Sequence, residues 1–96
     1  ILPSLMEATS ISCLEAMAAS LPIICTSVGG LPFLVHDAVN GYLADPASPT
    51  ALATCLDKLL ADDLTPLGAA SRRLVEEKFS WHEIAKQNVE AYAQVL

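Results

Sequence analysis

Apolar positions in this chain fall in short blocks, and their period changes from block to block. Ile1-Leu2-Pro3 reads as the tail of a strand, and Pro3-Ser4 ends it and opens a loop that runs through Thr9. Ser10 is a good helix N-cap, and residues 11–20 read as a helix, with Ile11, Leu14 and Ala18 at i, i+3 and i+7 and Met17 beside them. Pro22 stops that helix. Ile23-Ile24-Cys25-Thr26 is short, apolar and β-branched, the signature of a strand buried on both faces of a parallel sheet. Gly29-Gly30 makes a turn, Pro32 suits the first turn of a short helix to about Val35, Asn40-Gly41 is a tight turn, and Tyr42-Leu43-Ala44 a short strand.

The rest reads as helical. Ser48-Pro49 starts a helix whose Leu52, Leu56, Leu59 and Leu60 form one apolar stripe, and Asp62-Asp63 interrupts it. Pro66 and Gly68 precede a further helix that ends near Lys78-Phe79. Ser80 and Glu83 make a capping box for a last helix that carries Trp81, Ile84, Ala85, Tyr92 and Val95 on one side, where Trp81 and Tyr92 are expected to pack. Strands alternating with helices predict a doubly wound α/β layer, and strands this few and short need neighbours from additional sequence.

Composition sharpens that expectation. With 96 residues, 53% of them apolar, and a mean hydropathy of +0.46, the chain is richer in apolar groups than a small domain of its size requires. It is expected to pack against more protein, and an opening at Ile1 without an initiator Met fits a piece of a longer chain. The net charge is −6; residues 1–57 carry Glu7, Glu15, Asp37, Asp45 and Asp57 without one Lys or Arg. That balance argues against nucleic acid, which is bound by clustered cations. The apolar runs are too short for a transmembrane span. Cys13, Cys25 and Cys55 are widely spaced and have no histidine near them, so buried free thiols are expected rather than a metal site.

Candidate chemistry gathers at the start of the first helix. Glu7 stands before the helix mouth and Glu15 projects from its second turn, with the unpaired amides around Ile11, Ser12 and Cys13 between them. A helix start after a strand attracts anions, and a carboxylate beside a ribose can accept bonds from both hydroxyls. The set suits a nucleoside diphosphate that carries a further polar group such as a sugar. Spacing alone leaves a second reading open, in which the two glutamates are solvated surface charges. Gly29-Gly30 likewise reads either as a strand-to-helix turn or as a phosphate-contacting loop. His36 reads as a surface residue near a helix end rather than a base, and Asp62-Asp63 and Glu76-Glu77 as solvated charges.

Five segments together resemble the family 4 glycosyltransferases, which have the two-lobed GT-B fold. Pro3-Ser4-Leu5-Met6-Glu7, followed by Leu14-Glu15-Ala16-Met17-Ala18-Ala19-Ser20-Leu21-Pro22-Ile23-Ile24, is similar to that family's P-S-x-x-E and E-A-M-A-x-G-x-P-V-V, and Glu7 and Glu15 stand at its E-x7-E pair. Val28-Gly29-Gly30-Leu31-Pro32-Phe33-Leu34-Val35 resembles V-G-G-x-P-E-x-[VI], Asn40-Gly41-Tyr42-Leu43 resembles N-G-x-L, and Phe79-Ser80-Trp81 resembles F-S-W. The resemblance implies that residues 1–96 are the C-terminal part of a Rossmann-like, donor-binding lobe, an incomplete domain whose partner is a missing N-terminal lobe. It implies a retaining transferase using a nucleotide-sugar donor and an acceptor of unknown kind, with no metal or other cofactor. By the same resemblance Glu7 is the catalytic contact to the donor sugar, Ala8, Thr9, Ser10 and Ile11 meet sugar and diphosphate, and Glu15 binds the ribose. The parent is expected in the cytoplasm, with peripheral association at the inner face of the membrane as one arrangement, and the 96-residue chain alone is expected to be inactive. Ser10 and Ser20 stand where the family usually has Gly, and Phe33 where Glu is common. Two further readings remain beside the transferase: a GT-B protein with other chemistry, such as an epimerase or a phosphorylase, and a non-enzymatic interaction module.

Overall fold

The structure, a computed structural model, describes residues 1–61 and 63–95. Helix α1 (Ile11–Ala18) leads into strand β1 (Ile23–Thr26), the short helix α2 (Leu31–Leu34) and strand β2 (Gly41–Ala44); α3 (Pro49–Ala61), α4 (Leu64–Lys78) and α5 (Trp81–Val95) follow. β1 and β2 run parallel in the register Ile23–Gly41, Ile24–Tyr42, Cys25–Leu43 and Thr26–Ala44. On the other side of β1, Leu2 lies parallel to it: its amide donates to Ile24 O at 2.8 Å and its carbonyl accepts from Thr26 N at 3.2 Å. α1 therefore connects the parallel bridge at Leu2 to β1, and the expected α/β layer with short parallel strands and C-terminal helices is the one observed.

Alternation along β1 sends its side chains into two cores. Ile23 and Cys25 join Cys13 and Met17 of α1 and Leu31, Leu34 and Val35 on one face, while Ile24 joins Tyr42, Ala44, Cys55 of α3 and Leu67 of α4 on the other. All four β1 residues are buried, as expected of a strand covered on both faces. The three cysteines are free and buried, and burial pushes the Cys25 thiol up to about 12, so it stays neutral in this core.

Several boundaries differ from those read in the sequence. α1 ends at Ala18 rather than residue 20, because the chain turns left-handed at Ser20 (φ 61°). The amides of Ser20 and Leu21 donate back to Met17 O and Ala16 O, a Schellman closure in which a serine occupies the position glycine usually takes. Arg72 of α4 donates to Ala18 O, placing a cation at the negative end of α1. α4 begins at Leu64, not after Gly68. Asp63 caps it by accepting from Thr65 N at 3.0 Å, and Pro66 falls in the first turn, where its missing N–H costs no helical bond. Gly68 lies inside this helix because α4 crosses the end of α1 closely: a Cβ there would sit 2.1 Å from Ser20 O. Asp62, the other half of the expected interruption, lies outside the described residues.

The leucine stripe of α3 is split. Ala51, Leu52 and Leu59 pack with buried Cys55 on the second core, whereas Leu56 and Leu60 are exposed. Turning the helix toward Cys55 carries those two leucines to its outer flank. α5 also departs from the expected packing: Ile84 is half-buried, but Trp81, Tyr92 and Val95 are 86%, 71% and 85% exposed. α5 packs on α4 and buries no residue fully, and of the side on which packing was expected only Ile84 is partly covered by the described residues. Ser48 and Ser80 both cap as serines at helix starts do, with Ser48 Oγ accepting from Ala51 N and Ser80 Oγ from Glu83 N, the serine half of the expected capping box. Among the described residues no helix is long and apolar enough to cross a membrane.

Asn40 ties these layers together. It is fully buried, its Oδ1 accepts from His36 N at 2.7 Å, and its Nδ2 donates to Leu34 O at 3.0 Å. Its carbonyl accepts from Ile23 N and from Ser71 Oγ of α4. Asn40→Ala would strand the part-buried His36 amide and the buried Leu34 carbonyl, the latter at a cost of about 1–3 kcal/mol. The variant is expected to lose about 2–4 kcal/mol in urea denaturation; a loss below about 0.5 kcal/mol, the range of an ordinary surface change, would remove Asn40 from this role.

Candidate functional site at the mouth of helix α1

Leu2 and β1 are parallel, so the loops that leave them emerge at the same edge of the sheet, the carboxyl edge where open α/β layers bind ligands. One is the loop 3–9, which enters α1; the other is Ser27–Gly30, which enters α2. They are joined at several points. Thr26, buried at the end of β1, donates its hydroxyl to Ser4 O. Gly30 N donates to Ala8 O at 2.8 Å. Gly29 takes φ 55°, and a Cβ built on it would fall 1.5 Å from Glu7 O; one on Gly30 would fall 2.2 Å from Ala8 O. Neither sequence reading of the glycine pair foresaw this contact. Gly29-Gly30 is the abutment against which the Glu7–Ala8 backbone rests. Two adjacent glycines in the loop that follows a doubly buried strand were the signal for it.

The structure brings Glu7, Ala8, Thr9, Ser10 and Ile11 together at the α1 mouth. Glu7 is half-buried, and its Oε2 accepts from Ser4 Oγ at 3.0 Å. Among the described residues Ser4 is the sole hydrogen-bond partner of that carboxylate, which leaves Oε1 open. Ala8, Thr9 and Ile11 are exposed, while Ser10 is 6% exposed. Ser10 has φ −91°, an ordinary value for any residue, and its Oγ accepts from Cys13 N at 3.1 Å while its carbonyl accepts from Leu14 N. Its side chain is therefore folded into the helix start. The amides of Ile11 and Ser12 precede the first intrahelical bond, from Leu14 N to Ser10 O, and have no partner within the helix.

Glu15 is exposed, with no hydrogen-bond or ion-pair partner among the described residues. It sits five residues past the cap, about 7.5 Å along the helix axis at 1.5 Å per residue. The α1 start supplies roughly half a positive charge. Two of the chain's five cations are engaged elsewhere: Arg72 holds the opposite end of α1 and pairs with Glu76, and Lys58 lies 5.9 Å from the Tyr42 ring. Among the described residues no group of three or more His, Cys, Asp or Glu is placed to hold a metal ion. Phe33, 79% exposed, and His36, also exposed, lie on the surface of α2 and just after it.

Comparison with known proteins identifies the family. Residues 1–86 match the model of the family described as Glycosyl transferases group 1, and the chain belongs to that family. It is 40% identical over 93 residues to the D-inositol 3-phosphate glycosyltransferase of Xylanimonas cellulosilytica, covering 96% of this chain and 22% of that protein. It superposes on the sucrose-phosphate synthase of Thermosynechococcus elongatus with a TM-score of 0.87 and 37% identity, over 97% of this chain and 24% of that one. Anabaena HepE, solved in complex with UDP, gives a TM-score of 0.83 at 22% identity over 92% of this chain and 25% of that one, a likeness of fold. The chain thus spans about a quarter of the length of these proteins.

The abutment makes a direct prediction. Gly29→Ala places a side chain in a left-handed conformation, at about 1–2 kcal/mol, and drives a Cβ into Glu7 O, where overpacking costs about 1–3 kcal/mol. Urea denaturation is expected to show a loss of about 2–5 kcal/mol. Ser27→Ala, at an exposed neighbour, should stay within about 0.5 kcal/mol of the parent. Equal midpoints for the two variants would mean that the loops do not touch there.

Proposed function

We propose that a protein of this family carrying this chain transfers a sugar from a nucleotide-sugar donor to an acceptor, and that residues 1–96 form the C-terminal part of its donor-holding lobe. The observation that carries the reading is the α1 mouth. Two unpaired amides at a helix start stand at the carboxyl edge of a parallel sheet, beside a glutamate with one oxygen fixed and the other open. In this arrangement the diphosphate lies against the amides of Ile11 and Ser12, the donor sugar lies toward Ala8, Thr9 and Glu7, and Glu15 reaches the ribose hydroxyls. Ser10 contributes through its backbone at the cap. HepE, whose fold this chain shares, was solved with UDP and with UDP-glucose, which supports a nucleotide sugar as the donor class.

The chemistry follows from charge. As the bond from the anomeric carbon to the diphosphate breaks, positive charge develops at the sugar and negative charge at the leaving oxygen. The helix start is aimed at the second and the Glu7 carboxylate at the first, and groups held in place before the reaction stabilise charge without having to reorganise. With about half a charge at the helix end and no Lys or Arg in residues 1–57, full neutralisation of a diphosphate calls for cations from outside this segment. The likeness of its motifs to family 4 supports assigning the parent to that family, with retention of anomeric configuration, no metal requirement and a cytoplasmic setting at or near the inner face of the membrane.

Two substitutions in the full-length protein separate the roles. Glu15→Ala should weaken binding of the free nucleoside diphosphate by roughly 10- to 150-fold, the equivalent of about 1.5–3 kcal/mol for hydrogen bonds to a charged group. Glu7→Ala should leave that affinity nearly unchanged, because the free nucleotide has no sugar to touch, while kcat with the intact donor falls by about 100-fold or more. Calorimetry with the nucleotide and steady-state rates with the donor measure both. Equal losses of nucleotide affinity in the two variants, with kcat untouched, would refute the division of labour.

A further inference from the structure

Glu7 lies in a loop, and loop side chains do not hold a fixed direction without support. The support visible here is a chain of hydrogen bonds that begins in the core. Thr26, 1% exposed at the end of β1, donates its hydroxyl to the carbonyl of Ser4, 22 residues away in sequence. Ser4 donates its own hydroxyl to Oε2 of Glu7 at 3.0 Å. The Ser4 carbonyl is thereby pinned to the sheet, and the Ser4 hydroxyl is spent on one carboxylate oxygen. From the other side Gly29-Gly30 holds the backbone of Glu7 and Ala8. Main chain and side chain of Glu7 are thus fixed independently, and Oε1 is left directed for use.

We propose that Ser4 and Thr26 are positioning residues for the Glu7 carboxylate, acting on turnover through Glu7 and not by touching the donor. The proposal rests on the reading of Glu7 as the sugar-facing group. A hydroxyl that donates to one oxygen of a carboxylate selects one rotamer of a three-torsion side chain, and reacting groups lose rate steeply when displaced by about 1 Å. Thr26 acts one step further back, by keeping Ser4 in place against the end of β1. Neither side chain needs to reach the ligand for its loss to slow the reaction.

The test is a mutant cycle in the full-length protein, reading kcat and KM with the nucleotide-sugar donor, affinity for the free nucleoside diphosphate, and the melting temperature. Ser4→Ala is expected to lower kcat about tenfold, the loss of one hydrogen bond to a charged group at the weaker end of its range, with nucleotide affinity unchanged. Thr26→Val, which keeps the shape and removes the hydroxyl, should show the same split, and Ser4→Thr should restore kcat to within about threefold of the parent. Adding Ser4→Ala to Glu7→Ala should slow the enzyme no further, since a residue that acts through Glu7 has nothing to act on in its absence. A Ser4→Ala enzyme with parental kcat would overturn the proposal. So would a double variant slower than Glu7→Ala by the full Ser4 factor, which would make Ser4 independent of Glu7. Should Glu7→Ala itself turn over normally, the reading of Glu7 fails, and a tenfold loss in Ser4→Ala would then show a role of Ser4 unrelated to it. Should Ser4→Ala melt well below the parent, the Ser4→Thr and Thr26→Val rates decide: restored in the first and reduced in the second for a positioning pair, equal to each other if the hydroxyls do not matter.

Discussion

The loops that follow Leu2 and β1 can meet backbone to backbone only where no side chain stands between them. Here that contact is made by Gly29 and Gly30 against the carbonyls of Glu7 and Ala8, at distances no Cβ could survive. Everything at the α1 mouth follows from it. The loop 3–9 cannot lift away from the sheet, Ser10 arrives at the cap position with ordinary backbone angles, and the first amides of α1 point out from the carboxyl edge. A single methyl group at Gly29 acts against backbone angle and contact at once, so the dependence is steep.

The rest of the fold serves to keep that edge in place. β1 is buried on both faces and supplies both cores, so it cannot slide without disrupting α1 on one side and α3 on the other. α1 is fixed at both ends by different chemistry: Ser10 caps its start, and the left-handed turn at Ser20 with the Arg72 guanidinium closes its end. Asn40 joins the loop before β2 to β1 and α4 with every polar group satisfied, which identifies the Asn-Gly segment as a structural staple rather than a ligand contact. The half of the chain that holds the site is strongly organised, whereas α5 carries an apolar side that the described residues leave open.

Local signals were legible in the sequence where they have local causes. Ser10, Ser48 and Ser80 each start a helix, and the β-branched run at 23–26 is the central strand, because capping and burial on two faces act over a few residues. What the sequence concealed depends on tertiary contact. The start of α4 is hidden because Pro66 and Gly68 look like breakers, yet a first-turn proline costs no helical bond and only a glycine fits under Ser20 O. The α3 stripe was split because Cys55, not Leu56, faces the second core. At the site, the Ser10 cap made the place of Glu7 before the helix mouth readable, and the family resemblance added Ala8 through Ile11. The roles of Gly29-Gly30, Ser4 and Thr26 were not, since each acts through a partner many residues distant or through space that only the folded chain defines.

A crystal structure of the full-length protein with its intact nucleotide sugar tests the central claim most directly. The account predicts the diphosphate against the amides of Ile11 and Ser12, Oε1 of Glu7 within hydrogen-bond distance of the donor sugar with Oε2 still on Ser4, and Glu15 on the ribose hydroxyls. A diphosphate bound away from the start of α1, with the Glu7 carboxylate turned from the sugar, would contradict it.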